Sequence, residues 1–212
     1  MSANRQIENT ETHFVSETKY LAQLEKSDVK LEWIGGQIRA MAGASSNHAT
    51  LAMRLGMAIN NRLGRESTCE ARVSDIKVRI ESASTNYFPD VVFYCDDAEF
   101  VDNRPDWLLT PLLIAEVSSD STANIDRTEK LFNYRQIPSL RHYLLVSQRR
   151  VFIEHFHRND QNQWIYDSYN WNRDEIFIDF LDISIPVSEI YRRLNVPEGM
   201  VLSEETLRNS ED

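Results

Sequence analysis

Two carboxylates and one lysine stand where the chain could do chemistry. Asp90 follows a proline immediately before the apolar stretch VVFYC, and Glu116 lies inside the apolar run LLIAEV. An ionised carboxylate within such a run is costly to bury unless it is paired or bound to a cation. Lys130 comes next, in a helical stretch where Asp126, Lys130 and Tyr134 recur every four residues and therefore share one stripe.

This combination suits the metal-assisted hydrolysis of phosphodiesters. Hard carboxylate oxygens bind Mg²⁺ or Mn²⁺, and such an ion keeps several waters and polarises a phosphate. A lysine ammonium can orient or activate the attacking water and offset negative charge in the transition state. The chain has no GxxxxGK[ST] loop, no GxGxxG after a strand, no GxSxG elbow and no HExxH. The residues therefore favour a metal-dependent hydrolase over a P-loop or dinucleotide-binding protein.

Each of these residues also has an ordinary structural interpretation. Asp90 could be a turn residue at the start of a strand. Lys130 could pair with Asp126 on a helix surface, a contact worth about 0.3–0.5 kcal/mol. His48, at the start of a predicted helix, could be a cap-proximal polar residue or a contact to the site, and Tyr134 could be a core residue. The residues alone leave these alternatives open.

Composition and charge exclude several classes of function. The chain has 212 residues, 42% of them hydrophobic, which is typical of a packed domain. Its 23 basic and 33 acidic residues give a net charge of -10, so a generally basic nucleic-acid surface is excluded, although a local basic groove is not. It has no apolar run of about 18 residues to span a membrane, and its polar N-terminus predicts no secretory signal.

The two cysteines predict neither a disulfide framework nor a zinc site. Cys69 and Cys95 are far apart in the sequence and form no CxxC pair. This usage fits a reducing compartment, so we expect a cytoplasmic protein.

Apolar periodicity predicts an α/β domain, with a mixed sheet flanked by helices. The predicted helices cover residues 16–27, 45–63, 124–135 and 185–194. The predicted strands begin with a hairpin over 30–42, around two adjacent glycines, and continue at 68–73, 76–80, 91–95, 112–117, 141–146, 149–158 and 163–169. We expect one domain over 16–195, between a disordered tail over 1–15 and an acidic tail over 196–212.

Two histidines in the last predicted hairpin have the spacing of metal ligands. His155 and His157 alternate onto one strand face and could bind a metal. No matched ligand is evident nearby in the sequence, so we predict that both lie on the hairpin surface.

Three segments of the chain resemble one known family. NYFPDVVFY, LLIAEVSSDSTANIDRTEKLFNYRQIPSLRHYLLV and the N-terminal TKYLAQLEKSDVKLEWIGGQIRAMAGASSNHATL occur in the family's order. They resemble the restriction endonuclease family that is abundant in cyanobacteria, part of the PD-(D/E)XK nuclease superfamily. The resemblance covers about residues 16–195.

The resemblance implies a restriction-endonuclease-like fold and a set of site residues. Asp90 and Glu116 would be metal ligands for Mg²⁺ or Mn²⁺, Lys130 the catalytic lysine, and Glu32 an additional acidic residue in the site. Glu32 could instead be a polar residue on the exposed face of its hairpin. The E-x-K lysine position after Glu116 is occupied by Ser118, so the lysine would come from the following helix, which its long stem allows.

The leading hypothesis is therefore a DNA endonuclease that acts on duplex DNA. Enzymes of this superfamily that cut both strands often act as dimers, so the resemblance also implies a homodimer. A second hypothesis is a catalytically silent DNA- or protein-interaction domain on the same fold. A third is a small-molecule hydrolase using the same metal, which is less favoured because no apolar pocket signature is visible.

Overall fold

The computed structural model describes residues 14–41, 43–119 and 122–199. Most of the two predicted tails, residues 1–13 and 200–212, lies outside this part of the chain. The helices are α1 (Glu17–Leu24), α2 (Ser46–Asn60), α3 (Ala123–Ile125), α4 (Leu131–Tyr134) and α5 (Val187–Ile190), with a π-helical turn, Asp126–Lys130, between α3 and α4. Among the described residues, no helix combines the length and apolarity needed to cross a membrane.

Thirteen strands lie in the described part of the chain, and most of them are short. Their bounds are β1 (Leu31–Ile34), β2 (Gln37–Ala40), β3 (Cys69–Val73), β4 (Lys77–Ile80), β5 (Thr85–Tyr87), β6 (Val91–Cys95), β7 (Trp107–Leu108), β8 (Leu113–Ser118), β9 (His142–Ser147), β10 (Ile153–Arg158), β11 (Trp164–Tyr169), β12 (Glu175–Ile178) and β13 (Ile183–Pro186).

These strands form three sheets. The largest has the order β11-β10-β9-β8-β6-β3, the second β2-β1-β5-β4-β7, and β12 pairs with β13 alone. The pairs β8–β9 and β4–β7 are parallel, and the others are antiparallel. The predicted mixed α/β architecture is confirmed, but its strands are divided among more than one sheet.

Strand β8 lies in the middle of the six-stranded sheet and is buried on both faces. Leu113, Ala115 and Val117 pack in one core with residues of α2, α5 and the β12–β13 pair. Ile114 packs on the opposite face, in a core shared with β4, β5 and α4. This two-sided cover explains the nearly continuous apolar run in the sequence, and it places Glu116, which has the parity of Ile114, on the second face.

The C-terminal region differs from the prediction. The helix expected over 185–194 is only Val187–Ile190, because Ile183–Pro186 pairs with Glu175–Ile178 as a two-stranded sheet. In this pair Ile176, Ile178 and Ile185 are buried, so the local period is that of a strand. Strands this short carry little signal in a single sequence.

The prediction that the cysteines do not pair was wrong. Strand β3 pairs antiparallel with β6, and the register sets Cys69 directly opposite Cys95. The two residues form a disulfide, although 26 positions separate them in the sequence. The pairing depends on strand register, and it removes cysteine usage as an argument for a reducing compartment.

Candidate active site

The structure brings the four predicted site residues together. Glu32 lies on β1, Asp90 immediately precedes β6, Glu116 lies on β8, and Lys130 ends the π-helical turn. All four side chains are buried, with residue exposures between 2% and 9%. Because each comes from a different element, the cluster exists only in the folded chain.

Lys130 is surrounded by carboxylates. Its Nζ lies 2.9 Å from Oε1 of Glu116, 3.4 Å from Oε1 of Glu32 and 3.5 Å from Oδ1 of Asp126. The contact with Asp126 was an expected alternative, but it is buried and belongs to the same cluster. The ammonium therefore links β1, β8 and the helical segment that follows β8.

The electrostatics of the cluster follow from its excess of carboxylates. Burial raises the pKa of Glu116 well above its ordinary value, and the attraction of Lys130 only partly opposes this effect. Burial alone would lower the pKa of Lys130, but Glu116, Glu32 and Asp126 outweigh it and raise that pKa well above its ordinary value. Burial also raises the pKa of Asp126. Lys130 is consequently held as an ammonium ion.

Two side chains from the helical segment meet on one oxygen of Glu116. Lys130 Nζ and Tyr134 OH each donate a hydrogen bond to Glu116 Oε1 at 2.9 Å. Tyr134 is fully buried, as expected of a core residue, but it also orients the carboxylate. The charge on Glu116 is thus partly compensated on one side.

A π-helical turn positions the lysine. In this turn the backbone N–H of Leu131 donates to the carbonyl of Asp126, five residues earlier. The hydroxyl of Tyr143, on β9, donates to the same carbonyl at 3.0 Å. Both Asp126 and Lys130, at the two ends of this turn, are buried. π-helical turns inside helices frequently mark functional sites.

Asp90 is held by the strand that carries Glu116 and by a histidine. The backbone N–H of Val117 donates to its Oδ2 at 2.7 Å. Nε2 of His48 lies 2.8 Å from its Oδ1. His48 is in the first turn of α2, where Ser45 caps its backbone N–H at 3.1 Å. Asp90 is therefore more than a turn residue, and His48 contacts the site.

The exposed-face interpretation of Glu32 was wrong. Its side chain is 3% exposed, because β1 pairs with β5 and turns this face toward β8. The backbone N–H of Phe88 donates to its Oε1 at 3.4 Å. Glu32 thus lies between Lys130 and the chain segment that leads into Asp90.

A second charge pair fixes the hairpin against the helical segment. Arg39 on β2 donates two hydrogen bonds to Glu129, at 3.0 and 2.8 Å. Tyr87 OH donates to the same carboxylate at 3.1 Å, and Asn133 donates to Tyr87 at 2.7 Å. These contacts hold the residue next to Lys130 in place.

The donor set fits a hard divalent cation. The buried carboxylates of Glu32, Glu116 and Asp126 surround a single ammonium, and that of Asp90 is buried as well, so a further positive charge would relieve their repulsion. Among the described residues, no three carboxylate oxygens of this cluster lie within 4.8 Å of one another. Mg²⁺ is commonly bound through one or two carboxylates and retains several waters, so Asp90 and Glu116 are the residues that would hold it.

Three residues that the structure places at the site were assigned no definite role there from the sequence. Asp126 and Tyr134 were assigned to the helical stripe without a role at Glu116, and His48 was left open. The signal for Asp126 and Tyr134 was their four-residue spacing from Lys130. No local signal links His48 to Asp90, because the contact depends on how α2 packs on the sheet.

The chain is similar to known proteins over most of its length. Residues 18–188 match the sequence model of the Uma2 family, described as "Putative restriction endonuclease". The chain is 33% identical over 172 residues to the uncharacterised protein sll1609 of Synechocystis sp. strain PCC 6803, a match that covers 81% of this chain and 97% of that protein. It is 35% identical over 180 residues to slr1290 of the same organism, covering 85% and 93%.

The fold is also found in a solved structure. A crystal structure described as a "putative nuclease belonging to DUF820", from Anabaena variabilis, aligns with a TM-score of 0.65. The alignment covers 81% of this chain and 96% of that one, at 11% sequence identity. The shared fold confirms the restriction-endonuclease-like architecture expected from the resemblance. From the match to residues 18–188, the chain belongs to the Uma2 family of restriction-endonuclease-like proteins.

Proposed function

We propose that the chain is a metal-dependent endonuclease that hydrolyses DNA phosphodiesters at the Asp90–Glu116–Lys130 cluster. The observation that carries the proposal is the buried lysine held at 2.9–3.5 Å from three carboxylates, beside Asp90. Membership of the family supports the same reaction class. A buried charge cluster of this kind is costly to a domain that only needs to fold.

Asp90 and Glu116 are the proposed ligands for Mg²⁺ or Mn²⁺. Lys130 and Tyr134 both bond Oε1 of Glu116, so Oε2 is the oxygen that we assign to the cation. When bound, the ion would polarise a phosphate oxygen and lower the pKa of a bound water. His48 and the Val117 amide hold Asp90 in one orientation for this role.

Lys130 is the proposed catalytic lysine. With three carboxylates within 3.5 Å, its amine stays protonated, so it donates hydrogen bonds and does not accept a proton. In this role it orients the attacking water and stabilises negative charge on the phosphate. Glu32 acts on Lys130, because its carboxylate fixes the ammonium between β1 and β8.

Duplex DNA is the proposed substrate, and a homodimer the proposed acting form. A net charge of -10 weakens binding of a single chain to a polyphosphate. A homodimer would offset this effect only through a local basic cleft between its two chains, and it would place one site beside each strand of the duplex. We also place the reaction in the cytoplasm, where such an enzyme meets DNA.

A titration with Mn²⁺ separates this proposal from a silent interaction domain on the same fold. We expect isothermal titration calorimetry to detect Mn²⁺ binding by the unmodified chain and to show that Asp90→Asn and Glu116→Gln each weaken it about tenfold or more. Lys26→Gln, an exposed lysine on the loop after α1, serves as the control and should bind normally. Equal Mn²⁺ affinity in all four proteins would contradict the proposed metal ligands.

A further inference from the structure

A second cluster of titratable groups lies outside the proposed active site. It contains His142, His155 and His157, with ring centroids 4.7–5.8 Å apart, together with Asp167 and Asp179. The prediction that His155 and His157 lack matched ligands was wrong, because the missing partners come from neighbouring strands. His155 is 1% exposed and His142 is fully buried, so His155 does not lie on the hairpin surface as predicted.

Strand register creates the cluster. His155 and His157 are two residues apart on β10 and therefore point to the same face. On one side β9 sets His142 opposite His157, and on the other β11 sets Asp167 opposite His155. Directly paired residues share a face, so four side chains from three strands converge.

This face is the one opposite Glu116. On β9, Leu144 and Val146 share the parity of His142 and belong to the core beneath α2. Tyr143 and Leu145 belong to the core on the other face, with Tyr134 of the proposed active site. The histidine cluster is thus separated from that site by the thickness of the sheet.

Hydrogen bonds fix where the protons lie. Nε2 of His142 is 2.8 Å from Oδ1 of Asp179, and because a carboxylate only accepts, this nitrogen carries the proton. His142 is fully buried, and in a neutral imidazole whose Nε2 carries the proton the other nitrogen, Nδ1, is an acceptor. Nε2 of His155, 2.7 Å away, therefore donates to it. Nδ1 of His155 is left with a lone pair, with Tyr169 OH at 3.4 Å.

These hydrogen bonds orient His155 in the way that is usual for a metal-ligating histidine. A ligating histidine usually donates its other ring N–H to an acceptor that sets its tautomer and raises its basicity. Here His142 accepts from His155, and Asp179 in turn accepts from His142. His155 therefore uses Nε2 as a donor to His142, and its free electron pair is on Nδ1, the nitrogen that does not face His142.

We propose that His155, His157 and Asp167 bind a transition-metal ion of the Zn²⁺ type, with His142 and Asp179 as positioning residues. Each of the three proposed ligands offers one atom, and the three atoms lie within 4.8 Å of one another. Nε2 of His157 and Oδ2 of Asp167 are 2.9 Å apart, so a cation can replace the proton between them. Asp167 is exposed and free to adjust.

The donor chemistry distinguishes this site from the carboxylate cluster. Imidazole nitrogens with one carboxylate suit Zn²⁺ and its neighbours, whereas Mg²⁺ prefers oxygen ligands alone. Three protein ligands leave a fourth position for water or an external ligand. A cavity of about 290 Å³ adjoins the histidines, with Tyr169 and Phe177 in its wall, and provides the space. A bound ion would tie β10 to β11.

Calorimetric titration with ZnCl₂ tests the proposal, and His157→Gln and Asp167→Asn are the informative variants. Both side chains are partly or largely solvent-exposed, so neither change removes a core residue. We expect one high-affinity Zn²⁺ per chain in the unmodified protein, retained in excess Mg²⁺, and a loss of affinity of about tenfold or more in each variant. Co²⁺ substitution should give visible absorption bands that the variants lack.

Lys26→Gln is the control, because this exposed lysine on the loop after α1 lies outside both sites, and its replacement should leave Zn²⁺ binding unchanged. Circular dichroism of each variant verifies that the fold is intact. Zn²⁺ binding that persists unchanged in both His157→Gln and Asp167→Asn would overturn the proposal, as would Zn²⁺ binding no tighter than that of Mg²⁺.

Discussion

Lys130 Nζ lies 2.9 Å from Glu116 Oε1, in a pair that is 14 residues apart in sequence and buried on both sides. The helical segment that follows β8 in the chain packs back against that strand, so its lysine reaches Glu116. The position two residues after Glu116, Ser118, ends β8, and the lysine expected there arrives from the helix instead. The structure therefore keeps the carboxylate–lysine pair while changing the element that supplies the lysine.

Removing the charge of Lys130 should destabilise the protein strongly. In Lys130→Gln the carboxylates of Glu32, Glu116 and Asp126 lose their shared partner, and breaking a buried pair costs about 3–5 kcal/mol. Urea unfolding measures this loss. The control Lys26→Gln, at an exposed position, should change the free energy of unfolding by no more than about 0.5 kcal/mol. A similarly small change in Lys130→Gln would show that the buried charges do not depend on one another.

Replacing His48 should weaken metal binding without unfolding the chain. Its Nε2 contacts Asp90 Oδ1 at 2.8 Å, so His48→Gln releases one oxygen of the proposed ligand. Loss of such an outer contact lowers metal affinity by about 10–100-fold. The measurement is the Mn²⁺ concentration that gives half-maximal DNA cleavage. An unchanged metal dependence would mean that His48 does not orient Asp90.

The Arg39–Glu129 pair should couple the hairpin to the helical segment. The two residues share two hydrogen bonds, at 3.0 and 2.8 Å, and both are partly exposed, which limits the coupling to about 0.5–1 kcal/mol. A double-mutant cycle of Arg39→Met and Glu129→Gln, followed by urea unfolding, measures it. Each variant should also slow DNA cleavage. Expressed as a free energy, this loss of cleavage rate should exceed the loss in the free energy of unfolding, because Glu129 directly precedes Lys130. Additive effects on stability would contradict a direct pair.

Stability should decline on mild acidification because of the histidine cluster. Burial lowers the pKa of His142 to about 4, from an ordinary 6.5. Because this pKa is lower in the folded chain than in the unfolded chain, the unfolded chain binds the proton first as the pH falls. The stabilising effect of the neutral histidine is therefore complete above pH 6.5 and is lost as the pH falls toward 4. At 1.36 kcal/mol per unit of pKa shift, the loss is about 3 kcal/mol.

The measurement is urea unfolding between pH 7 and 4, in EDTA so that no metal is bound. His142→Gln should show a shallower dependence of stability on pH than the unmodified chain. Identical pH dependence in the two proteins would indicate that His142 titrates normally in the folded state.

Much of the fold and part of the site could be predicted from the sequence. Glu116 stood out because an acidic residue interrupts an apolar run, and the four-residue spacing of Asp126, Lys130 and Tyr134 correctly placed them on one stripe. The main helices and most strands followed from periodicity. These signals are local, and a single sequence carries them.

The remainder depends on contacts between distant segments. The burial of Glu32 requires β1 to pair with β5, and the Cys69–Cys95 disulfide requires the register of β3 with β6. The histidine cluster needs two registers at once, those of β10 with β9 and with β11. Nothing near any of these residues encodes the pairing.

The central claim is that Asp90, Glu116 and Lys130 form the site of metal-dependent DNA hydrolysis. Its most direct test is the nicking of supercoiled plasmid DNA in Mg²⁺ or Mn²⁺, by the unmodified chain and by Asp90→Asn of verified fold. We predict nicking that EDTA abolishes and that Asp90→Asn lacks. Nicking that survives in Asp90→Asn, or no nicking by the folded, unmodified chain in either metal, would contradict the claim.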